Sequence, residues 1–156
     1  MKPYNQLLKE FEQVSNELMK TLKLFPKQDM EKCLFDKWSL KDIVAHITAW
    51  DERDIYYVDA LLNNKEPNWV IDIDKFNNDS VDASKNTSWV NVFSKFKKTN
   101  KRMLKAYKGL PENFVNKKFW KSRKFTPYNN LEGTIHHYRD EHLKNIVEKL
   151  NQLKKI

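Results

Sequence analysis

Two histidines are the side chains in this sequence with the clearest capacity for chemistry. His46 and His142 lie in separate stretches whose apolar residues recur at helical spacing. At about 100° per residue, His46 falls on the same side of its helix as Ile43 and Ile47, and His142 falls with Ile146. Helical bundles build metal and cofactor sites from inward-facing side chains of different helices. This pattern therefore predicts a site between the two helices.

Other polar side chains fall near this pair on the same helical wheels. Asp54 shares the apolar face of the helix that carries His46, and Arg139 falls on the same side as His142. A buried carboxylate needs a partner, so an ion pair of Asp54 with Arg139 or a lysine is an alternative to a catalytic role. On the last helix, the wheel places His136 at the edge and His137 on the outer face.

Four long helices are predicted to position these residues. Ser39 and Asp42 have the spacing of a capping box at the start of the second helix, and Gly109 supplies a stop for the third. We expect a long loop over residues 68–88. The fold class is therefore all-α, a four-helix up-down bundle in a single domain over residues 1–156. The helices are predicted over residues 4–25, 40–63, 89–108 and from Asn129 or Asn130 to the C-terminus.

Composition narrows the classes of function. The 156 residues include only two glycines, which excludes glycine-rich phosphate loops. Cys33 is the single cysteine and has no base near it in sequence, so it is predicted to be incidental. The net charge of +8 comes mostly from lysines and lacks a nucleic-acid-binding motif, which favours a solvated surface over a nucleic-acid site. With no apolar run of membrane-spanning length, we expect a cytoplasmic protein without membrane contacts.

A family resemblance follows from the second helix. The run WSLKDIVAHITAWDERD, followed late in the chain by HHYRDEHLKNI, resembles the DinB-like superfamily of damage-inducible four-helix-bundle proteins. Its second-helix signature, W-S-x-x-D-x-x-x-H-x-x-x-W, is matched in order, and the resemblance covers nearly the whole chain. The matching residues are Trp38, Ser39, Asp42, His46 and Trp50.

The resemblance implies a divalent metal, zinc or nickel, held by three histidines. One comes from the second helix and two come from the last helix, four residues apart. His46 and His142 match the first and last of these ligands. The residue four before His142 is Tyr138, and His137 lies five before it. Candidates for the third ligand are His137, His136, Asp54 and Tyr138.

Three hypotheses for the site stay open from the sequence. In the first, two imidazoles, a third ligand and water give the open four-coordinate site that zinc prefers. In the second, the metal has been lost and a polar pocket is left for acid–base chemistry or anion binding. In the third, His46 and His142 are hydrogen-bonded core residues.

By resemblance, the protein is a small-molecule enzyme, either a metal-dependent hydrolase or a thiol-dependent transferase. Asp54 or Tyr138 would serve as the acid or base, and Arg139 would anchor an anionic group of the substrate. The alternative is a non-catalytic stress-response or binding protein that sequesters a small molecule. The resemblance also implies a homodimer.

Overall fold

The computed structural model describes residues 1–155, and no β-strand occurs among them; two isolated antiparallel bridges join Phe35 to Trp38 and Trp120 to Arg123. The fold is all-helical, as predicted. A 3₁₀ turn lies at Lys27–Asp29 and a π-helical segment at His137–Leu143. The α-helices are α1 (Tyr4–Leu24), α2 (Leu40–Leu62), α3 (Ile73–Ala83), α4 (Trp89–Lys108), α5 (Glu112–Val115), α6 (Pro127–His136) and α7 (Lys144–Lys154).

Local sequence signals explain where the helices begin. The predicted capping box of α2 is present, because Ser39 Oγ accepts from the Asp42 N–H and Asp42 Oδ2 accepts from the Ser39 N–H. A second capping box, formed by Thr126 and Asn129, opens α6 with a proline in its first turn. The side chain of Ser88 caps α4. Each such cap satisfies backbone N–H groups that have no partner inside the helix.

One apolar core holds the long helices together. The helix α2 packs against α3 and α4, while α1 packs against α4, α6 and the π-helical segment. The residues that fill the core include Phe11, Leu18, Ile47, Phe96 and Met103. Each of the five is fully buried. Burial of this kind is the main favourable contribution to folding.

Two sequence expectations are wrong in their details. Residues 68–88 are not simply a loop, because α3 forms within them and is capped by the Asp72 side chain. None of the eleven residues of α3 is buried, which explains why a core-facing apolar pattern did not reveal the helix. The last helix is interrupted by the π-helical segment, and it begins at Pro127, two residues before the predicted start.

The π-helical segment differs from a regular α-helix in its hydrogen bonding. The Lys144 N–H donates to the carbonyl of Arg139, five residues earlier, rather than four. In a regular α-helix, five residues leave an offset of about 140° between side chains. The wider turn reduces this offset and brings positions five apart toward one face. His137 and His142 are the two ends of such a pair.

A chain of buried hydrogen bonds fixes the inner side of this segment. Tyr138 is fully buried, and its hydroxyl donates to Oδ2 of Asp51 on α2. Nδ2 of Asn100 on α4 donates to Tyr138 Oη at 3.2 Å and to Oγ of Ser15 on α1 at 2.8 Å. Burial raises the pKa of Asp51 well above its ordinary value, although the Tyr138 hydrogen bond opposes this rise. These hydrogen bonds thus connect the π-helical segment to three other helices.

None of the helices within residues 1–155 combines the length and the apolar character needed to cross a membrane.

Replacing Tyr138 with Phe removes the hydroxyl that joins Asp51 to Asn100. We expect the free energy of unfolding to fall by about 1–3 kcal/mol, because both groups lose a partner in the core. Oδ1 of Asp51 already lacks a partner among residues 1–155, so the carboxyl would have none left there. Urea denaturation measures the change. Tyr56→Phe is the control, because the Tyr56 hydroxyl accepts from the Asn68 N–H at an exposed position where water can replace it. Equal stability of Y138F and Y56F would contradict the role of the buried hydrogen bonds.

Candidate metal centre

Three histidines meet between α2 and the π-helical segment. Nε2 of His137 lies 3.1 Å from Nε2 of His46 and 2.8 Å from Nε2 of His142. The ligand nitrogens of the three rings all lie within 4.8 Å of one another. The structure thus brings His137 into the cluster, although the helical wheel placed it on the outer face. The π turn is the physical reason for the difference.

The environment of the three rings keeps them uncharged. Burial, together with the neighbouring His137, lowers the pKa of His142 to about 2 and that of His46 to about 4. Burial also lowers the pKa of His137, against the opposing charge of Glu141. Trp38 covers one side of His46, with the ring centroids 5.0 Å apart. Neutral imidazole is the form that binds metals.

The contacts inside the cluster suit a cation better than a hydrogen-bonded core. A neutral imidazole has one N–H donor and one lone pair, so three Nε2 atoms that face each other cannot all be satisfied by one another. A structural histidine in a core normally has its nitrogens paired. The residues present therefore fit a divalent metal with three nitrogen ligands.

Glu141 and Asp54 are acidic residues that line the same cavity as His46 and His137. Oε2 of Glu141 lies 3.6 Å from Nε2 of His137. The Asp54 side chain is buried, and its Oδ2 accepts a hydrogen bond from Oγ1 of Thr134 at 2.9 Å. Burial raises the pKa of Asp54 to about 7, even though the Thr134 hydrogen bond lowers it. A carboxyl group with this pKa can both accept and release a proton near neutral pH.

A cavity of about 790 Å³ opens beside the cluster. His46, His137 and Asp54 line it, so the imidazoles and the carboxyl group face one space. Its size is within the roughly 300–1,000 Å³ that is usual for small-molecule sites. Aromatic rings form much of the remaining wall, contributed by Trp50, Tyr57, Trp69, Trp120 and Phe125.

Tyr138 and Arg139 lie away from the cavity, whereas His136 lines it without joining the histidine cluster. Tyr138 is in the core, bonded to Asp51, and does not line the cavity. The prediction that Arg139 points inward is wrong, since its side chain is exposed and lies 3.5 Å from Asp140. His136 is exposed and pairs with Asp140 at 2.7 Å, so it is not one of the three clustered rings. Catalytic roles for Asp54, Tyr138 and Arg139 stay predictions.

Sequence reasoning missed several residues of the site. One is Thr134, the hydrogen-bond partner of Asp54, whose type and spacing in the sequence did not indicate a role in the site. Its Oγ1 also donates to the carbonyl of Asn130, four residues earlier, at 3.0 Å. The cavity also draws on Trp69, in a connector whose conformation the helical pattern did not determine.

Two solved structures share this fold. A mycothiol-dependent maleylpyruvate isomerase aligns with a TM-score of 0.78 and 11% identity, over 88% of this chain and 58% of that one. The colibactin self-resistance protein ClbS, in complex with a dsDNA, aligns with a TM-score of 0.74 and 17% identity, over 97% of this chain and 95% of that one. This chain thus spans little more than half of the isomerase. No family model and no curated protein matches the chain.

Replacing Asp54 with Asn tests the raised pKa of this carboxyl group. The folded-state pKa of about 7 exceeds the ordinary value of 3.8, so Asp54 takes up a proton on folding between these values. Its contribution to stability is complete below pH 4 and is lost as the pH rises through 7. Between pH 5 and pH 8, wild-type protein should lose about 2–3 kcal/mol relative to D54N.

The measurement is urea denaturation of both proteins at the two pH values. Asp59→Asn, at an exposed position on the same helix, is the control and should follow the wild type. An unchanged difference between wild type and D54N at pH 5 and pH 8 would show that Asp54 titrates normally.

Proposed function

Because the chain has a DinB-like fold with three converging histidines, we propose that it is a metal-dependent enzyme that acts on a small molecule. His46, His137 and His142 would hold the cation, and zinc or nickel suits three imidazole ligands. The observation that carries the proposal is the convergence of three neutral Nε2 atoms, from the buried His46 and the half-buried His137 and His142, beside a ligand-sized cavity that two of these rings line.

The cation and the chain contribute different parts of the chemistry. When bound, a divalent cation supplies Lewis acidity, which favours the deprotonated form of a water molecule or a thiol. Asp54 accepts or returns a proton, since its pKa is about 7 and it lines the same cavity. Thr134 orients Asp54 by donating to its Oδ2. Aromatic walls bind the apolar part of the substrate and exclude water.

Thiol-dependent transfer is the version that we favour. The isomerase that shares the fold is mycothiol-dependent, and this supports a low-molecular-weight thiol as co-substrate of this chain. Hydrolysis would differ in the nucleophile, with water in place of the thiol. The same three histidines and Asp54 would serve either reaction.

A second candidate is a non-catalytic protein that sequesters a small molecule. ClbS is a colibactin self-resistance protein, and it aligns with this chain over nearly the whole length of both. Its part in resistance supports this alternative. The cavity would then hold its ligand without turnover. A specific nucleic-acid interface is not part of either proposal, since the lysines of this chain are not accompanied by a binding motif.

We also propose that α1, α2, α4 and the composite helix formed by α6, the π-helical segment and α7 make an up-down four-helix bundle. The contacts of α2 with α4, and of α1 with α4 and α6, support this arrangement. Homodimer formation, cytoplasmic localisation and the single-domain organisation stay predictions.

Metal titration tests the proposed function. Metal-free protein purified without an affinity tag should bind zinc or nickel at one site per chain in calorimetry. At a free metal concentration 100 times Kd, the free energy of unfolding should rise by about 2.7 kcal/mol, because metal binds only the folded state. His142→Ala should weaken binding by more than the roughly 10–100-fold that loss of an outer-shell partner costs, because it removes one of the three direct ligands.

His136→Ala is the matched control for this titration. His136 is on the same composite helix but is exposed and paired with Asp140. This variant should bind zinc as the wild type does. If metal-free wild-type protein binds neither zinc nor nickel, or if H136A and H142A lose affinity equally, the metal-dependent function fails.

A further inference from the structure

The wall of the cavity formed by residues 116–126 carries positive charge over aromatic rings. Arg123 and Lys124 both line the cavity and are exposed. None of the ion pairs within residues 1–155 involves either of them. The cavity also has two acidic groups, Asp54 and Glu141, and Glu141 lies beside His137. The two cations are therefore available to a ligand.

Stacking holds Arg123 in place. Its guanidinium carbon lies 3.6 Å from the centroid of the Trp69 ring and 5.9 Å from that of Trp120. A guanidinium that stacks through its face keeps its N–H edge free to bind a carboxylate or another planar anion. The positive charge is thus oriented before a ligand arrives, which reduces the entropic cost of binding.

Hydrogen bonds between two connectors keep this arrangement together. Trp120 Nε1 donates to the carbonyl of Pro67, and the Lys121 N–H donates to Oε1 of Glu66 at 2.8 Å. Trp69 and Trp120 pack edge to face, with their ring centroids 5.9 Å apart. Trp120 is also stacked on Phe125. The result is a wall of large, preorganised aromatic surfaces next to an unpaired cation.

We propose that the cavity binds a small organic anion with a flat apolar body, its anionic group at Arg123 and Lys124 and its body against the cavity surface formed by Trp69, Trp120 and Trp50. The proposal rests on the proposed function only for the choice of the cavity. It adds the substrate class, namely an aromatic or conjugated carboxylate or a similar anion. His46 and His137 line the same cavity, so such a ligand would present its remaining part to the histidines.

The test uses calorimetric titration of metal-free protein with 2-naphthoate and with its uncharged analogue 2-naphthamide. Metal-free protein is chosen so that the carboxylate cannot be held by a cation at the histidines. We expect 2-naphthoate to bind at least 10-fold more tightly than 2-naphthamide, because only the anion forms charge-assisted hydrogen bonds with Arg123. Added salt should reduce this preference.

Arg123→Gln should reduce the preference for the anion by about 10-fold and leave the affinity for 2-naphthamide unchanged. The matched control is Arg102→Gln, which removes one exposed arginine of α4 that does not line the cavity. Equal affinity for the two probes, or an equal effect of R123Q and R102Q, would overturn the proposal even if zinc binds. A preference for 2-naphthoate that R123Q reduces and R102Q does not would support the anion site even if the protein binds no zinc. The anion-binding proposal and the metal-dependent function can therefore fail separately.

Discussion

The site depends on the wide turn between His137 and Leu143, which is anchored inside by the hydrogen bond from Tyr138 to Asp51. That bond directs position 138 into the core. The Tyr138 side chain lies in the core. His137 and His142 can therefore lie on the same face of the helix only if that turn contains one extra residue. Insertions of this kind in α-helices are frequent at functional sites, and here the insertion has a defined consequence. It lets His137 and His142 approach His46, while Tyr138 joins α2 to α4 through Asn100.

Much of the fold follows from local sequence signals. Apolar spacing predicts α1 and α4 to within one residue, and the Ser39–Asp42 box predicts the start of α2. These elements are long, strongly periodic and capped, so local preference and packing agree. The helix α3 could not be found in this way, because it is short and buries none of its residues. Its position over α2 depends on contacts such as that of Trp50 Nε1 with Oδ1 of Asn77, at 2.8 Å, which join residues distant in the sequence.

The candidate site was only partly predictable, for a geometric reason. A helical wheel assumes a constant 100° per residue, and this assumption correctly placed His46 and His142 on inner faces. It placed His137 outward because a π turn has no simple sequence signature. It also placed Arg139 inward, whereas the side chain is exposed. The arginine that does line the cavity, Arg123, lies in a connector where no periodicity applies. Loop-borne residues of this kind become visible only when the helices that carry the loops have been arranged.

The most direct test of the three-histidine centre is X-ray absorption spectroscopy of the zinc-loaded protein and its variants. We predict three imidazole nitrogens at about 2.0–2.1 Å from the zinc in wild-type protein, and one fewer in the His137→Ala variant. The double variant H137A/Y138H provides the four-residue spacing of a regular α-helix. It should not recover the third imidazole, because position 138 faces Asp51 in the core. Three imidazoles in the double variant, or an unchanged number in H137A, would contradict the π-turn geometry of the site.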